Sequence, residues 1–203
     1  MTPSPNNIKI RNATEDDISS IRDIYNYYIR ETTFTFEEVE VTLEEMTNRY
    51  RHVLELKLPY FVAVEVVDNV VVVDGASTDT TATTTTKETI IGYSYAGLFR
   101  TRSAYRFTIE DVIYLRHDLT AKGLGSILLK KLIDRCTELG YRQMITCSSD
   151  NPASVALHKK FGFHSPMVLK SVGFKFNQWI DTITMQLPLG ESDTTLPPPL
   201  PSQ

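Results

Sequence analysis

Apolar and polar positions change period several times along the chain, and each change marks an element. Residues 8–11 alternate as a short strand does, and Thr14 followed by Glu15, Asp16 and Asp17 supplies an N-cap and acidic residues at a helix start. Ile18, Ile21, Tyr25 and Tyr28 then recur at helical spacing. Residues 32–36 interrupt that helix, and Thr42-Leu-Glu-Glu45 opens a second with a capping-box pattern. After Pro59, residues 60–67 read as a strand bounded by the turn signal Asp68-Asn69. Residues 90–97 and 108–115 add two further strands. Ile127, Leu128, Leu132 and Ile133, continued by Cys136 and Leu139, line one face of a helix that Gly140 ends. Residues 142–147 form another strand, and Asn151-Pro152 fits an N-cap followed by proline at the first helical position. Ser154, His158 and Gly162 fall four apart on that helix, and residues 167–172 and 179–187 alternate as two final strands.

Two stretches fall outside this pattern. Residues 70–89 hold a Thr-rich low-complexity run, read as a mobile surface insertion in a hairpin; long loops cost little closure entropy, so its deletion is expected to be tolerated. The Pro-rich end, Pro197-Pro-Pro-Leu-Pro201, cannot continue a sheet. The expected organisation is a short disordered tail (1–7), one domain (8–188) and a disordered C-terminal tail (189–203).

Composition narrows the function classes. The 203 residues are 41% hydrophobic with a formal net charge of -4, enough for one good core and against a non-specific nucleic-acid binder, which needs clustered Lys and Arg. No apolar stretch is long enough to cross a bilayer, and the N-terminus lacks the charged start and apolar run of a signal peptide, so a cytoplasmic protein is expected. Cys136 and Cys147 have no metal-ligand spacing; both read as small apolar core residues in a reducing compartment. No metal is expected.

The chemistry concentrates between Thr108 and Ile127. Glu110 enters a strand whose far end meets Thr120-Ala-Lys-Gly123-Leu-Gly125, a glycine turn opening a helix. Such a turn presents unpaired backbone N–H groups and the positive end of the helix dipole to an anion. A Rossmann dinucleotide site fits poorly: that motif opens the first strand–helix unit and expects a third glycine. On its residue type alone Glu110 reads as a solvated carboxylate at a strand edge.

These motifs, with Asn151-x-x-Ser154-x-x-x-His158-x-x-x-Gly162-Phe163, resemble the GNAT superfamily of N-acetyltransferases. Gly92-Tyr-Ser-Tyr-Ala-Gly97, Ala104 to Tyr114, Leu157-His158 and Val172 to Asp181 are similar to the phosphinothricin and methionine sulfoximine N-acetyltransferases within it. The resemblance spans roughly residues 8 to 188 apart from the Thr-rich insertion. It implies an α+β, three-layer GNAT fold: a mixed, mostly antiparallel sheet flanked by helices.

It also implies a site. Acetyl-CoA would lie with its pantetheine amides on main-chain groups of Val112, Ile113 and Tyr114, its pyrophosphate on N–H groups of Thr120, Ala121, Lys122, Gly123, Leu124 and Gly125, and its arm against Asn151. Glu110 would take the proton of the attacking amine, and His158 would donate to the leaving thiolate. Phe99, Arg100 and Thr101, with Phe34, would contact a small amino-acid acceptor, Arg100 gripping its carboxylate or phosphinate through two parallel donors. The resemblance further suggests a homodimer. Two departures stand out: Thr120 where the superfamily usually has Gln or Arg, and the Thr-rich insertion. Competing readings are an acetyltransferase for another amine, a protein N-terminus or a polyamine, and a non-catalytic acetyl-CoA-binding module.

Overall fold

The computed structural model describes residues 7–71, 83–119, 123–149 and 151–197. Its elements, in order, are β1 (Ile8–Asn12), α1 (Ile18–Glu31), α2 (Leu43–Glu55), β2 (Tyr60–Val71), β3 (Thr83–Leu98), β4 (Thr108–Leu115), α3 (Leu124–Glu138), β5 (Gln143–Ser149), α4 (Pro152–Lys160), β6 (His164–Lys175) and β7 (Gln178–Pro188). One seven-stranded sheet runs β1-β2-β3-β4-β5-β7-β6. Of its neighbouring pairs only β4 and β5 are parallel, so the expected mixed, mostly antiparallel sheet forms.

The helices start where their caps direct. Asp17 Oδ2 accepts hydrogen bonds from the Thr14 N–H at 2.8 Å and the Thr14 hydroxyl at 3.2 Å, while Arg11 donates to both of its carboxylate oxygens. Thr42 Oγ1 accepts from the Glu45 N–H at 3.1 Å at the head of α2. Strand alternation sorts the sheet's two faces. Tyr60, Tyr93, Tyr95 and Tyr114 share the face under α1 and α2, where Tyr114 packs 5.1 Å from both Tyr25 and Tyr28 and Tyr60 lies 5.3 Å from Tyr50. On the other face Ala96, Ile109 and Met144 are buried with Leu124, Leu128, Leu129, Leu132 and Cys136 of α3. The result is helices, sheet, helices in three layers.

Two expectations about irregular segments are corrected. The ladder between β2 and β3 continues from Tyr60↔Tyr95 out to Val71↔Thr83, so much of the stretch read as a loop is strand. Threonine is β-branched and suits an extended pairing, which the low-complexity appearance concealed; residues 72–82 lie outside the described set. The C-terminal segment is docked through residue 195 rather than loose. Leu189 is buried and its N–H donates to Arg142 O at 2.9 Å, Gln143 donates to the Ser192 hydroxyl at 2.7 Å, and Arg142 reaches Thr195 Oγ1 at 3.0 Å.

Candidate active site

Glu110 stands where the sheet divides. β4 pairs with β5 through Thr108, Ile109 and Glu110, and among the described residues the pairing goes no further. β4 continues against β3 as far as Leu115, and β5 continues against β7 as far as Ser149. Two parallel neighbours therefore part beyond the Glu110↔Ile145 rung and leave a cleft. Val112, Ile113 and Tyr114 form one wall of it. In a sheet, every second residue of that wall turns its N–H and C=O toward the missing neighbour, which is the hydrogen-bonding edge an extended amide-bearing ligand requires.

The far end of the cleft is the head of α3. Gly123 is the N-cap with φ +82, a left-handed conformation that a residue with a Cβ adopts only at a cost, so glycine is required there. The first N–H groups of α3, from Leu124 and Gly125, have no partner within the helix. Gly125 serves packing: a Cβ on it would lie 3.1 Å from Leu157 of α4, so its absence lets the two helices approach. Thr120, Ala121 and Lys122 lie outside the described residues. The connection leading to them is tied to α1, because the Tyr28 hydroxyl donates to Leu115 O at 2.7 Å and the Tyr27 and His117 rings stack at 3.9 Å.

Glu110 is half-buried, and its carboxyl is pushed up to about 6. Burial is the main cause, the neighbouring charge of Asp111 adds to it, and Arg100 opposes it. By register, Tyr95 and Cys147 share the Glu110 face of the sheet. The Arg100 guanidinium lies over the rings of Phe99, at 5.0 Å, and Tyr105, at 5.9 Å, an arrangement that limits its freedom before any anion arrives. Thr101 is exposed beside it, and Phe34, on the α1–α2 connection, is partly exposed with its ring 6.3 Å from Tyr28.

Lys175, at the tip of the β6–β7 hairpin, completes this side. It is buried and its Nζ donates to Thr35 O at 2.9 Å, while the Thr35 hydroxyl bonds Tyr25 Oη at 2.9 Å. The hairpin is thereby latched onto the loop that carries Phe34. Gly173 makes the contact close, since a Cβ there would come 2.4 Å from the Phe36 ring.

Three sequence expectations change here. His158 does not present an N–H to the cleft: only 4% exposed, it has Nδ1 at 2.7 Å from Ser154 O and Nε2 at 2.9 Å from Asp111 Oδ2, on the face opposite Glu110. A ring with both nitrogens engaged in this way is not placed to protonate a thiolate. Asn151 spends Oδ1 on the N–H groups of Ala153 and Ser154, at 3.1 and 3.3 Å, as the cap of α4, so a contact to a ligand falls to its Nδ2. Cys147 is not a core residue; it is exposed on β5, with the Thr184 hydroxyl 3.7 Å from its Sγ, whereas Cys136 is buried as expected. Asp111, Cys147 and Lys175 border this region and were not singled out from the sequence, because the parting of the strands and the reach of the hairpin bring them there and no local pattern encodes either.

Among the described residues no group of three or more His, Cys, Asp or Glu side chains is arranged to hold a metal ion, and no helix is long and apolar enough to cross a membrane.

A parted parallel pair with a helix head at its end offers main-chain partners to an extended ligand and unpaired N–H groups to an anion, with a carboxyl at the fork. Residues 21–163 match the acetyltransferase (GNAT) family, and the chain belongs to that family; its sheet and helices are the GNAT fold. It is 43% identical over 190 residues to a phosphinothricin N-acetyltransferase of Alcaligenes faecalis, covering 93% of this chain and 86% of that protein. A L-methionine sulfoximine/L-methionine sulfone acetyltransferase of Pseudomonas aeruginosa is 31% identical, with 89% and 94% covered. A phosphinothricin acetyltransferase of Sinorhizobium meliloti, solved with acetyl-CoA, superposes with a TM-score of 0.80 at 37% identity, covering 95% of this chain and 94% of that one. The protein is an N-acetyltransferase.

Proposed function

We propose that the enzyme acetylates the α-amine of a small amino acid bearing a phosphinate or sulfoximine-type side chain, as phosphinothricin and methionine sulfoximine do. The amine attacks the thioester carbonyl of acetyl-CoA directly, and Glu110 accepts the ammonium proton; the carbon–sulfur bond then breaks and CoA leaves. The observation that carries this reading is the position of Glu110 at the fork of β4 and β5. A carboxyl at about 6 is ionised at neutral pH, yet close enough to operating pH to take a proton effectively.

In this reading the pantetheine arm pairs with main-chain groups of Val112, Ile113 and Tyr114, Asn151 Nδ2 donates to it, and the N–H groups of Gly123, Leu124 and Gly125, with Thr120, Ala121 and Lys122, receive the pyrophosphate. Arg100 takes the acceptor's carboxylate or phosphinate, and Phe99, Thr101 and Phe34 bound its side chain. The identity to named phosphinothricin and methionine sulfoximine acetyltransferases supports the acceptor class. A cationic residue at the acceptor entrance disfavours a polyamine.

We place the enzyme in the cytoplasm as a homodimer. The free thiols of Cys136 and Cys147 suit a reducing compartment. Edge strand β6 and its partner β7 expose Val168, Phe174 and Trp179, which the register places on one face, the last 67% exposed, an apolar surface of the sort that subunit contacts cover.

The test is CoA release from acetyl-CoA against phosphinothricin, methionine sulfoximine, ordinary amino acids, polyamines and peptides. Release with the first two at low acceptor concentration is expected. Release with polyamines or peptides alone would overturn the acceptor assignment.

A further inference from the structure

Asp111, one residue past the fork, points to the opposite face from Glu110 and grips α4. Its Oδ2 lies 2.9 Å from His158 Nε2, and the two side chains are 2% and 5% exposed. His158 Nδ1 faces a carbonyl at 2.7 Å and must donate to it. With Nε2 facing a carboxylate, the pair is an imidazolium–carboxylate bridge. Burial pulls the His158 pKa down, and the Asp111 hydrogen bond and charge, with the Ser154 carbonyl, outweigh it and raise it. The Phe163 ring, edge-on at 4.9 Å, fixes the imidazole from the side.

Glu110 is on the last rung that joins β4 to β5, and α4 follows directly from β5. The Asp111–His158 contact therefore bridges the two sides of the cleft immediately beyond the point where main-chain pairing stops. It does so within a polar pocket. By register Ser94 on β3 and Ser148 on β5 share the Asp111 face, and Asp111 Oδ1, Ser94 Oγ and Ser148 Oγ are all buried without a hydrogen-bond partner. A buried ion pair adds little net stability over an apolar pair of similar volume, so thermodynamic support of the fold does not account for it.

We infer that Asp111 and His158 are positioning residues for the transfer reaction, a clamp that holds the base-bearing strand to the helix after β5 and fixes the cleft beside Glu110. The inference rests on the acetyl-transfer reading of the site. The clamp has an electrostatic consequence. Tyr95 on β3 and Cys147 on β5 share the Glu110 face, Arg100 from the β3–β4 connection acts on Glu110 by its charge, and Asp111 acts on it from the other face of the same strand; Asp111 itself faces His158 on α4 and is coupled to Cys136 on α3. Asp111 is the anionic neighbour that raises Glu110, so neutralising it lowers the pH at which Glu110 ionises.

Two variants separate shape from charge. Asp111→Asn keeps the side-chain volume and a hydrogen bond to the imidazole while removing the carboxylate charge. The double variant Asp111→Leu/His158→Leu removes the bridge and fills its space with apolar groups that fold. In Asp111→Asn the acid limb of kcat/KM for the amine is expected to move down by about 0.5 to 1 pH unit, with acetyl-CoA affinity within about twofold of wild type. In the double variant the dissociation constant for acetyl-CoA, measured by calorimetry, is expected to rise at least about tenfold with the melting temperature retained. An unmoved acid limb in Asp111→Asn, or wild-type acetyl-CoA affinity in the folded double variant, overturns the inference. Absence of CoA release by the wild type with every amine would instead sink the acetyl-transfer reading, and the calorimetric comparison would still judge the clamp.

Discussion

Glu110 shows how one side chain's surroundings set both its chemistry and its cost to the fold. Burial and the Asp111 charge disfavour its ionised form, raising its pKa from 4.5 to about 6. The sign of the stability effect follows: a carboxyl raised by folding stabilises the native state below about 4.5, and that contribution is lost as pH rises through about 6. Glu110→Gln is therefore expected to melt above wild type at pH 8, by no more than the few degrees that about 2 kcal/mol represents, and level with it near pH 4. A melting temperature below wild type at pH 8 would contradict this account of its environment. Arg100 carries a different expectation. Arg100→Gln should raise KM for the amino-acid acceptor about 10-fold or more while leaving KM for acetyl-CoA unchanged, because a bidentate charged contact is lost on the acceptor side only; an acetyl-CoA effect of equal size would move Arg100 out of the acceptor pocket. At this scale the sequence singled out Glu110, Arg100 and the Gly123–Gly125 turn as candidates, since each sits in a motif. It misassigned Cys147 and His158 because their roles depend on β5 leaving β4 and on α4 folding back toward Asp111.

Elements were legible wherever local chemistry sets them. Thr14, Thr42 and Asn151 cap the helices they precede, and Gly123 and Gly140 take the positive φ that their positions require. The β6–β7 hairpin turns through Phe176 and Asn177, both left-handed at φ 50 and 58, between the paired Lys175 and Gln178; the asparagine suits that conformation, and the phenylalanine gives no such signal. The Thr-rich segment failed as a prediction for the opposite reason. Low complexity and polarity dominate its reading, yet Thr83 to Lys87 pair rung by rung with Val67 to Val71. Deleting residues 76–87, harmless on the sequence reading, is now expected to lower the melting temperature by several degrees, as removal of five paired rungs should. An unchanged melt would show that those rungs contribute nothing to the fold.

At the scale of the molecule, the strand order β1-β2-β3-β4-β5-β7-β6 was not readable from periodicity, because nothing in β7 announces that it inserts between β5 and β6. The family resemblance supplied a mixed, mostly antiparallel sheet flanked by helices but no strand order; the order, and the parting of β4 from β5 within it, are seen only in the structure. The same topology leaves β6 as an edge with an apolar face. If that face is the subunit contact, Trp179→Arg should convert a dimer to a monomer in sedimentation analysis, and a wild-type monomer at micromolar concentration would remove the homodimer from the account. The central claim is that a carboxylate at the fork of the sheet accepts the amine's proton during acetyl transfer. It is tested most directly by the pH dependence of CoA release with phosphinothricin for wild type and Glu110→Gln. The account predicts a wild-type rate that falls as pH drops through about 6, and a variant slower by about 10² or more with acetyl-CoA binding intact. Turnover by Glu110→Gln at the wild-type rate, with the same acid limb, would contradict it.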